Sequence, residues 1–359
     1  MHAQQRAELR NLVLLAQQHP VLALGAAHCA YMYGWYSSED GEEQVRESAK
    51  IDWASVEEAA ELFELSILQG GCLDPDMPLE RFLDELSCDT RWTHAIFLRE
   101  HLSHWYEVGG HDHEKAAFHL ARAQALLQGL VQTPRFSGEC CVSWTKPTDV
   151  NSNALFFPHA FSAPIWPRER ALSLDIARFF EESQPVFRAE LLPLLEGISR
   201  DDWASATPGA VSAEHLASTD GWFMLSVVRH GEWNLPLCEL APRSCEMVAS
   251  RPEISRCSVS NVNLMRLAPG AQLKPHFGNA PRLSAHLSLS VPEPEAAHLR
   301  VGAEVATWKE GEVLIFDDTF VHSVSHSGVL PRVVLSAWFC HPCDTNPDHQ
   351  HGQTCVLRS

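Results

Sequence analysis

Two histidines and one arginine in the C-terminal half of the 359-residue chain have the residue types of a metal and carboxylate site. His276 lies in the sequence KPHFG, and His322 ends the run IFDDTFVH. Arg332 follows ten residues after His322 and begins an apolar run. Imidazole suits Fe(II), which also needs open positions for an oxo-acid and O2, and a guanidinium can hold a carboxylate through two hydrogen bonds. The pattern predicts an iron centre beside an oxo-acid pocket.

One component of the usual non-haem iron site is missing. That site adds a carboxylate to its two histidines, whereas the position two residues after His276 is Gly278. From the residues alone, two interpretations stay open: a two-histidine centre completed by water, or a site that has lost its metal. Asp317 and Asp318 are expected to build the turn before His322, because Asp side chains cap turns well.

The sequence pattern changes at two places along the chain. Residues 1–135 carry successive amphipathic helical patterns, which predict a helical bundle or helix-pair repeats. The segment 131–155 is rich in Pro, Gly, Ser, Thr and Asn, which indicates a boundary. A further helix is expected from about Arg168 to Ser183, and Pro185 should end it.

From about residue 222, short apolar runs alternate with Gly, Pro and Asp turns. This pattern predicts a β-sandwich or barrel rather than a parallel α/β sheet. The strongest strand candidates are residues 262–267, 283–291, 313–316 and 333–339.

Composition limits the partners and leaves the compartment open. The formal net charge is -19, which repels nucleic acid and anionic membranes, so no nucleic-acid partner is expected. The apolar runs near the N-terminus are too short and interrupted to span a bilayer, so no membrane partner is expected. Eleven cysteines form no dense framework; a cytoplasmic location is slightly favoured, with the secretory pathway as the alternative.

The C-terminal half resembles the aspartyl/asparaginyl β-hydroxylases. The most specific segment is WKEGEVLIFDDTFVH, which ends in His322, and looser similarity extends over residues 155–343. The other matching segments are 268–270, 275–278, 282–286, 300–302 and 338–342. The resemblance implies that residues 155–343 form a double-stranded β-helix (jelly-roll, cupin-like) oxygenase domain. Together with the helical domain that the periodicity predicts over 1–135 and a polar tail over 344–359, the expected fold class is α+β.

The resemblance also implies roles for individual residues. In that family the glycine corresponding to Gly278 is usual, and two histidines hold iron without a protein carboxylate; here these would be His276 and His322. Arg332 would bind the far carboxylate of 2-oxoglutarate, and His286 would assist. The implied cofactors are Fe(II) and 2-oxoglutarate, with O2 as oxidant and no catalytic residue beyond the metal centre.

Five further positions bear on substrate binding, cosubstrate binding and disulfide chemistry. Family members often carry an arginine at the position of Ser284, and Arg282 is close enough in sequence to take its place; both are candidate substrate-binding residues. Met265 stands where a serine often helps to bind 2-oxoglutarate. Cys238 and Cys245 match a cysteine-bounded loop of the family, so a disulfide-capable pair is expected.

The function expected from these residues is hydroxylation of an amino-acid side chain, of the Asp/Asn type, in a protein or peptide. Two alternatives remain. One is lipid acyl-chain hydroxylation, which the wider family includes. The other is a catalytically inactive binding or scaffold protein, in which the helical region would capture a partner.

Overall fold

The computed structural model describes residues 112–130, 151–197, 221–257 and 260–344, with short gaps in the last three ranges, and isolated positions between 57 and 106. The chain divides into two compact units, residues 1–147 and 148–359. The predicted helical domain over 1–135 lies largely outside the described residues, so its extent stays a prediction. The polar tail over 344–359 lies outside them except for Asp344.

In the first unit, the described residues are helical around a buried polar contact. Helix α1 spans His113–Leu130, and the isolated positions between 57 and 106 are also helical. The buried Arg99 guanidinium contacts Glu64 at 2.5 Å and donates to Nδ1 of His119 on α1 at 3.0 Å. The charge of Arg99 is thus compensated inside this unit.

The described residues of the second unit form helices and ten strands. The helices are α2 (Asn153–Phe156), α3 (Arg168–Ser173), α4 (Asp175–Leu191), α5 (Leu194–Gly197), α6 (Leu235–Leu240), α7 (Pro242–Ala249) and α8 (Pro252–Ser255), with a 3-10 turn at Pro294–Ala296. The strands are β1 (Trp222–Arg229), β2 (Glu232–Trp233), β3 (Asn261–Leu267), β4 (Gln272–His276), β5 (Arg282–Ser290), β6 (Ala297–Val301), β7 (Glu304–Ala306), β8 (Val313–Phe316), β9 (His322–His326) and β10 (Arg332–Cys340).

These strands form two antiparallel sheets. One has the order β2-β1-β3-β10-β5-β8, and the other has the order β4-β9-β6-β7. From β3 onward, the chain passes back and forth between the two sheets, so strands β3 to β10 make a jelly roll of eight strands. This arrangement confirms the predicted antiparallel β architecture, and the four strongest strand candidates correspond to β3, β5, β8 and β10.

Alternation along the strands produces two apolar layers. One face of the larger sheet packs against α3, α4 and α7, with Phe180, Leu264 and Leu335 in the shared cluster. The opposite face meets the smaller sheet in a second cluster that contains Leu299 and Val324. Because strand side chains alternate between faces, the polar residues placed at every second position of β5 and β10 face the second layer, between the sheets.

Helix α4 corrects one prediction. The expected single helix is two helices, α3 and α4, and Pro185 lies inside α4 rather than ending it. Proline removes one helical hydrogen bond, at a cost of about 3 kcal/mol. The helix continues because Phe180 and Phe187, on either side of the proline, are fully buried, and each contributes roughly 1.5–3 kcal/mol.

Two disulfide bridges join described residues of the second unit. Cys238 on α6 is bonded to Cys245 on α7, which confirms the expected pair. Cys257 is bonded to Cys340 at the end of β10, a pairing that the sequence did not suggest. The second bridge joins the segment before β3 to the end of β10, and these two strands are neighbours in the larger sheet.

Among the described residues, none of the helices has the length and hydropathy that a bilayer-spanning segment requires.

Replacing Pro185, which is exposed, by Ala should raise the free energy of unfolding by roughly 1–3 kcal/mol. The restored N–H can bond to the carbonyl of Glu181, one helical turn earlier. Urea denaturation measures the change, with Gln184→Ala as the control, which should stay within about 0.5 kcal/mol of the wild type. Equal stability of Pro185→Ala and the wild type would contradict this account of α4.

Candidate functional site

The two candidate metal ligands lie opposite each other in the smaller sheet. The register of β4 and β9 pairs His276 with His322. His322 is buried, and its Nδ1 lies 2.9 Å from the carbonyl oxygen of Phe320. A carbonyl only accepts, so Nδ1 carries the proton and the lone pair is on Nε2, which is the form of histidine that binds a metal. The side chain of His276 lies outside the described residues.

His286 on β5 faces the same interior and is held by Trp308. The indole Nε1–H donates to Nδ1 of His286 at 3.3 Å, and the two rings are stacked. Burial, Arg332 and His322 together hold the pKa of His286 well below its usual range. Because Trp is a donor only, the neutral His286 carries its proton on Nε2. It therefore presents one N–H donor to the interior and no charge.

Arg332, at the start of β10, is a buried cation. It is 2% exposed, and its Nε and Nη1 have no hydrogen-bond partner within the part of the chain that the structure describes. Its guanidinium lies over the Trp308 ring, 4.1 Å from the centroid. Burial lowers the pKa of Arg332 to about 9. An unpaired buried charge is costly, so this side chain is suited to a carboxylate ligand, which it can bind through two N–H groups.

The position of Gly278 is explained by Asp318. A Cβ at residue 278 would lie 2.7 Å from the carboxylate carbon of Asp318, and the Gly278 N–H donates to the Asp318 carbonyl at 2.6 Å. Asp318 is held in turn by Nε of Arg282 at 2.8 Å. The space that a metal-binding side chain at 278 would need is therefore filled by a fixed carboxylate.

Arg282, a candidate substrate-binding residue, is thus already paired. Besides the salt bridge to Asp318, its guanidinium lies 3.7 Å from the ring centroid of Trp338. The pair is buried, where the attraction between opposite charges is strong. The other candidate, Ser284, is buried opposite Trp338 on β10 and Phe316 on β8. Its Oγ has no hydrogen-bond partner among the described residues.

Asp317 builds the turn before His322, as expected. Its Oδ1 accepts from the N–H and the hydroxyl of Thr319 at 2.9 and 2.6 Å, and from Nδ2 of Asn153 at 2.9 Å. Burial is the largest influence on this carboxyl and raises its pKa to about 7, against the lowering effect of the Thr319 hydrogen bonds. The turn that leads into β9 is therefore sensitive to pH near neutrality.

Sequence reasoning missed three residues at this site, Trp308, Ser288 and Ser336, and it assigned Asp318 only to the turn before His322. Ser288 and Ser336 are fully buried, and each has an Oγ with no hydrogen-bond partner within the described ranges. A signal was available for β5, because RLSAHLSLS places a polar residue at every second position between apolar ones. Nothing comparable marks Asp318, whose role depends on its contact with a glycine forty residues earlier in the chain.

The metal and cosubstrate that the resemblance implies fit this interior in two respects. His322 has the tautomer of a metal ligand, and Arg332 has unsatisfied donors suited to a carboxylate. Within the described residues, no group of three or more His, Cys, Asp or Glu side chains is arranged to hold a metal ion.

The fold and these residues define a jelly-roll domain with a basic and polar interior. Residues 181–342, a little under half of the chain, match the family model described as aspartyl/asparaginyl beta-hydroxylase, so this part of the chain is similar to that family.

The similarity to curated relatives covers only part of the length of each relative. Human aspartyl/asparaginyl beta-hydroxylase is 32% identical over 130 residues, which are 36% of this chain and 17% of that protein. Human aspartate beta-hydroxylase domain-containing protein 1 is 31% identical over 194 residues, which are 52% of this chain and 47% of that protein. The chain thus spans less than half the length of these two relatives.

A solved structure of a Pseudomonas putida prolyl-4-hydroxylase is also similar, with a TM-score of 0.28 and 16% sequence identity. The similarity covers 44% of this chain and 86% of that chain.

The raised pKa of Asp317 predicts a loss of stability as the pH rises. The folded state holds this proton more tightly than the unfolded state, whose pKa is near the ordinary 3.8. The stabilisation is therefore present at low pH and is lost as the pH rises through about 7. From about pH 5 to about pH 8, the wild type should lose roughly 3 kcal/mol more than Asp317→Asn. Urea unfolding at several pH values measures the free energy of unfolding of both proteins. Glu304→Gln, on the exposed edge of β7, is the control and should follow the wild type. Parallel pH dependences for wild type and Asp317→Asn would contradict the prediction.

The contact between Gly278 and Asp318 predicts that a carboxylate cannot be restored at position 278. Gly278→Asp recreates the usual His-x-Asp spacing, but its Cβ would overlap the Asp318 carboxylate. The variant should lose more than about 2 kcal/mol of stability and gain no affinity for Mn(II), used as an iron substitute. Thermal unfolding and titration of the free Mn(II) EPR signal measure both. Gly278→Ala, which adds the Cβ alone, should lose stability as well, and tighter Mn(II) binding by Gly278→Asp would refute the steric account.

Proposed function

We propose that the jelly-roll domain is an Fe(II)- and 2-oxoglutarate-dependent dioxygenase that hydroxylates an amino-acid side chain, of the Asp/Asn type, in a protein or peptide. The buried guanidinium of Arg332, with two donors that no described residue satisfies, is the observation that carries the proposal. A protein keeps such a charge in its interior at a cost, and a carboxylate ligand would compensate it.

In this proposal, His276 and His322 are the metal ligands. The paired register of β4 and β9 and the Nδ1–H tautomer of His322 support this assignment. No carboxylate ligand is assigned, because Asp318 fills the space beside Gly278. When bound, the iron and 2-oxoglutarate would supply the oxidation: O2 gives one oxygen atom to a substrate C–H bond and the other to succinate, with release of CO2.

The residues of the chain bind and orient the cosubstrate. Arg332 binds its far carboxylate through Nε and Nη1, and Trp308 fixes the guanidinium from one side. His286, kept neutral and in one tautomer by Trp308, donates from Nε2 to the cosubstrate. The apolar cluster around Leu299 and Val324 excludes water from the interior.

The side chain to be hydroxylated is expected near Ser284. Ser284 offers a hydroxyl where family members often carry a cation, and Arg282 would contribute by holding Asp318 and Trp338 in place. The relatives named for aspartate and asparagine support a protein or peptide substrate of this kind. Lipid acyl-chain hydroxylation and a catalytically inactive binding protein are the rival functions.

Anaerobic addition of Fe(II) and 2-oxoglutarate to the full-length protein tests the proposal. A metal-to-ligand charge-transfer band should appear in visible absorbance, and His322→Ala should abolish it. Arg332→Met should weaken 2-oxoglutarate binding at least about 100-fold, because two charge-assisted hydrogen bonds are lost. Arg300→Met, on the exposed side of β6, is the matched control and should bind normally.

The melting temperature of Arg332→Met without ligand is a second measurement, and there the substitution should be stabilising. Without ligand, Arg332→Met should melt at a higher temperature than the wild type, since it removes an unpaired buried charge. A folded wild type that gives no band would refute the enzyme and favour the inactive binding protein. Unchanged 2-oxoglutarate affinity in Arg332→Met would refute the assigned role of that residue.

A further inference from the structure

Three serine hydroxyls surround His286 on the inner face of the larger sheet. Ser284 and Ser288 lie two residues before and after His286 on β5, and Ser336 is its direct partner on β10. All three side chains are fully buried, and each Oγ has no hydrogen-bond partner among the described residues. A buried hydroxyl without a partner costs free energy, so three of them around one histidine indicate an absent polar ligand.

The register distinguishes Ser288 and Ser336 from Ser284. Ser288 lies opposite Val334, two residues along β10 from Arg332, and the register shifts between Val334 and Val333. Ser284 lies at the opposite end of β5, beside Trp338. Ser288 and Ser336 thus line the path from His286 to Arg332, whereas Ser284 does not.

The other flank of the same path is apolar. Val334 is paired on its second side with Met265 of β3, and Met265 belongs to the apolar cluster between the sheets. Of the two residues paired with Val334, Ser288 on β5 therefore has a hydroxyl group and Met265 on β3 has an apolar side chain. This asymmetry gives Ser288 a specific place relative to the ligand of Arg332.

We infer that Ser288 and Ser336 position the oxo-dicarboxylate ligand of Arg332. Ser288 donates its hydroxyl proton to the carboxylate that Arg332 binds. Ser336 donates to the ligand beside His286, nearer the paired histidines. This assignment deepens the proposed function and rests on it.

Binding of 2-oxoglutarate to the Mn(II)-loaded full-length protein, followed by isothermal titration calorimetry, tests the inference without turnover. Ser288→Ala and Ser336→Ala should each raise the Kd for 2-oxoglutarate about tenfold, because each removes a hydrogen bond to a charged or strongly polar ligand. The Kd for Mn(II) alone should not change. Ser290→Ala, on the same strand but only partly buried, is the matched control and should leave both constants within about twofold.

A melting measurement separates positioning from a structural role. Removing an unsatisfied buried hydroxyl should leave the ligand-free melting temperature equal or higher, whereas loss of a structural contact would lower it. Ser288→Thr keeps the hydroxyl and should retain most of the affinity.

The two levels of the proposal fail differently. A wild type that binds Mn(II) but no 2-oxoglutarate would overturn the proposed function, and this inference with it. A wild type that binds 2-oxoglutarate, with unchanged Kd in a serine variant, would overturn the role of that serine alone. Weaker binding accompanied by a lower ligand-free melting temperature would likewise assign the serine to structure rather than to positioning.

Discussion

A buried positive charge for which the described residues supply no hydrogen-bond partner at Nε and Nη1, that of Arg332, is the constraint on which the interior depends. Arg332 is covered by Trp308, and the same indole fixes His286. Arg332 also contributes to the low pKa of His286, so the charge of the arginine helps to keep the histidine neutral. One remains cationic and the other remains a neutral donor. The apolar layers around them strengthen both effects, because charges interact more strongly where water is excluded.

A second buried guanidinium, that of Arg282, lies at the other end of β5 and, unlike that of Arg332, is paired with a carboxylate. Arg282 forms a salt bridge with Asp318 and lies over the Trp338 ring, so its charge is compensated within the protein. Asp318 in turn explains why residue 278 has no side chain. The two buried arginines therefore differ in availability: Arg332 has unsatisfied donors, and Arg282 holds the surrounding turn together. If the proposed function is correct, selection of the substrate near Ser284 relies on neutral hydrogen bonding more than on charge.

The sequence predicted the parts of the site that are encoded locally. Short apolar runs between Gly, Pro and Asp turns indicated β3, β5, β8 and β10, and the long motif ending in His322 carried the resemblance to the family. The contacts between distant segments could not be predicted. The pairing of Asp318 with Gly278, the stacking of Trp308 on His286 and the bridge between Cys257 and Cys340 depend on strand register. Pro185 failed as a helix end for a related reason, since burial of Phe180 and Phe187 outweighed its local preference.

The bridge between Cys257 and Cys340 also bears on how the sheet assembles. The two cysteines are 83 residues apart, and strands β3 and β10, which they flank, are neighbours in the larger sheet. Pairing strands so far apart in sequence normally carries a large loop-closure entropy. In an oxidised unfolded chain that cost is already met, because the segment from 257 to 340 is a covalent ring. His276, His286, His322 and Arg332 all lie inside this ring, so the jelly roll can regain its longest-range pairing without a search over the whole chain.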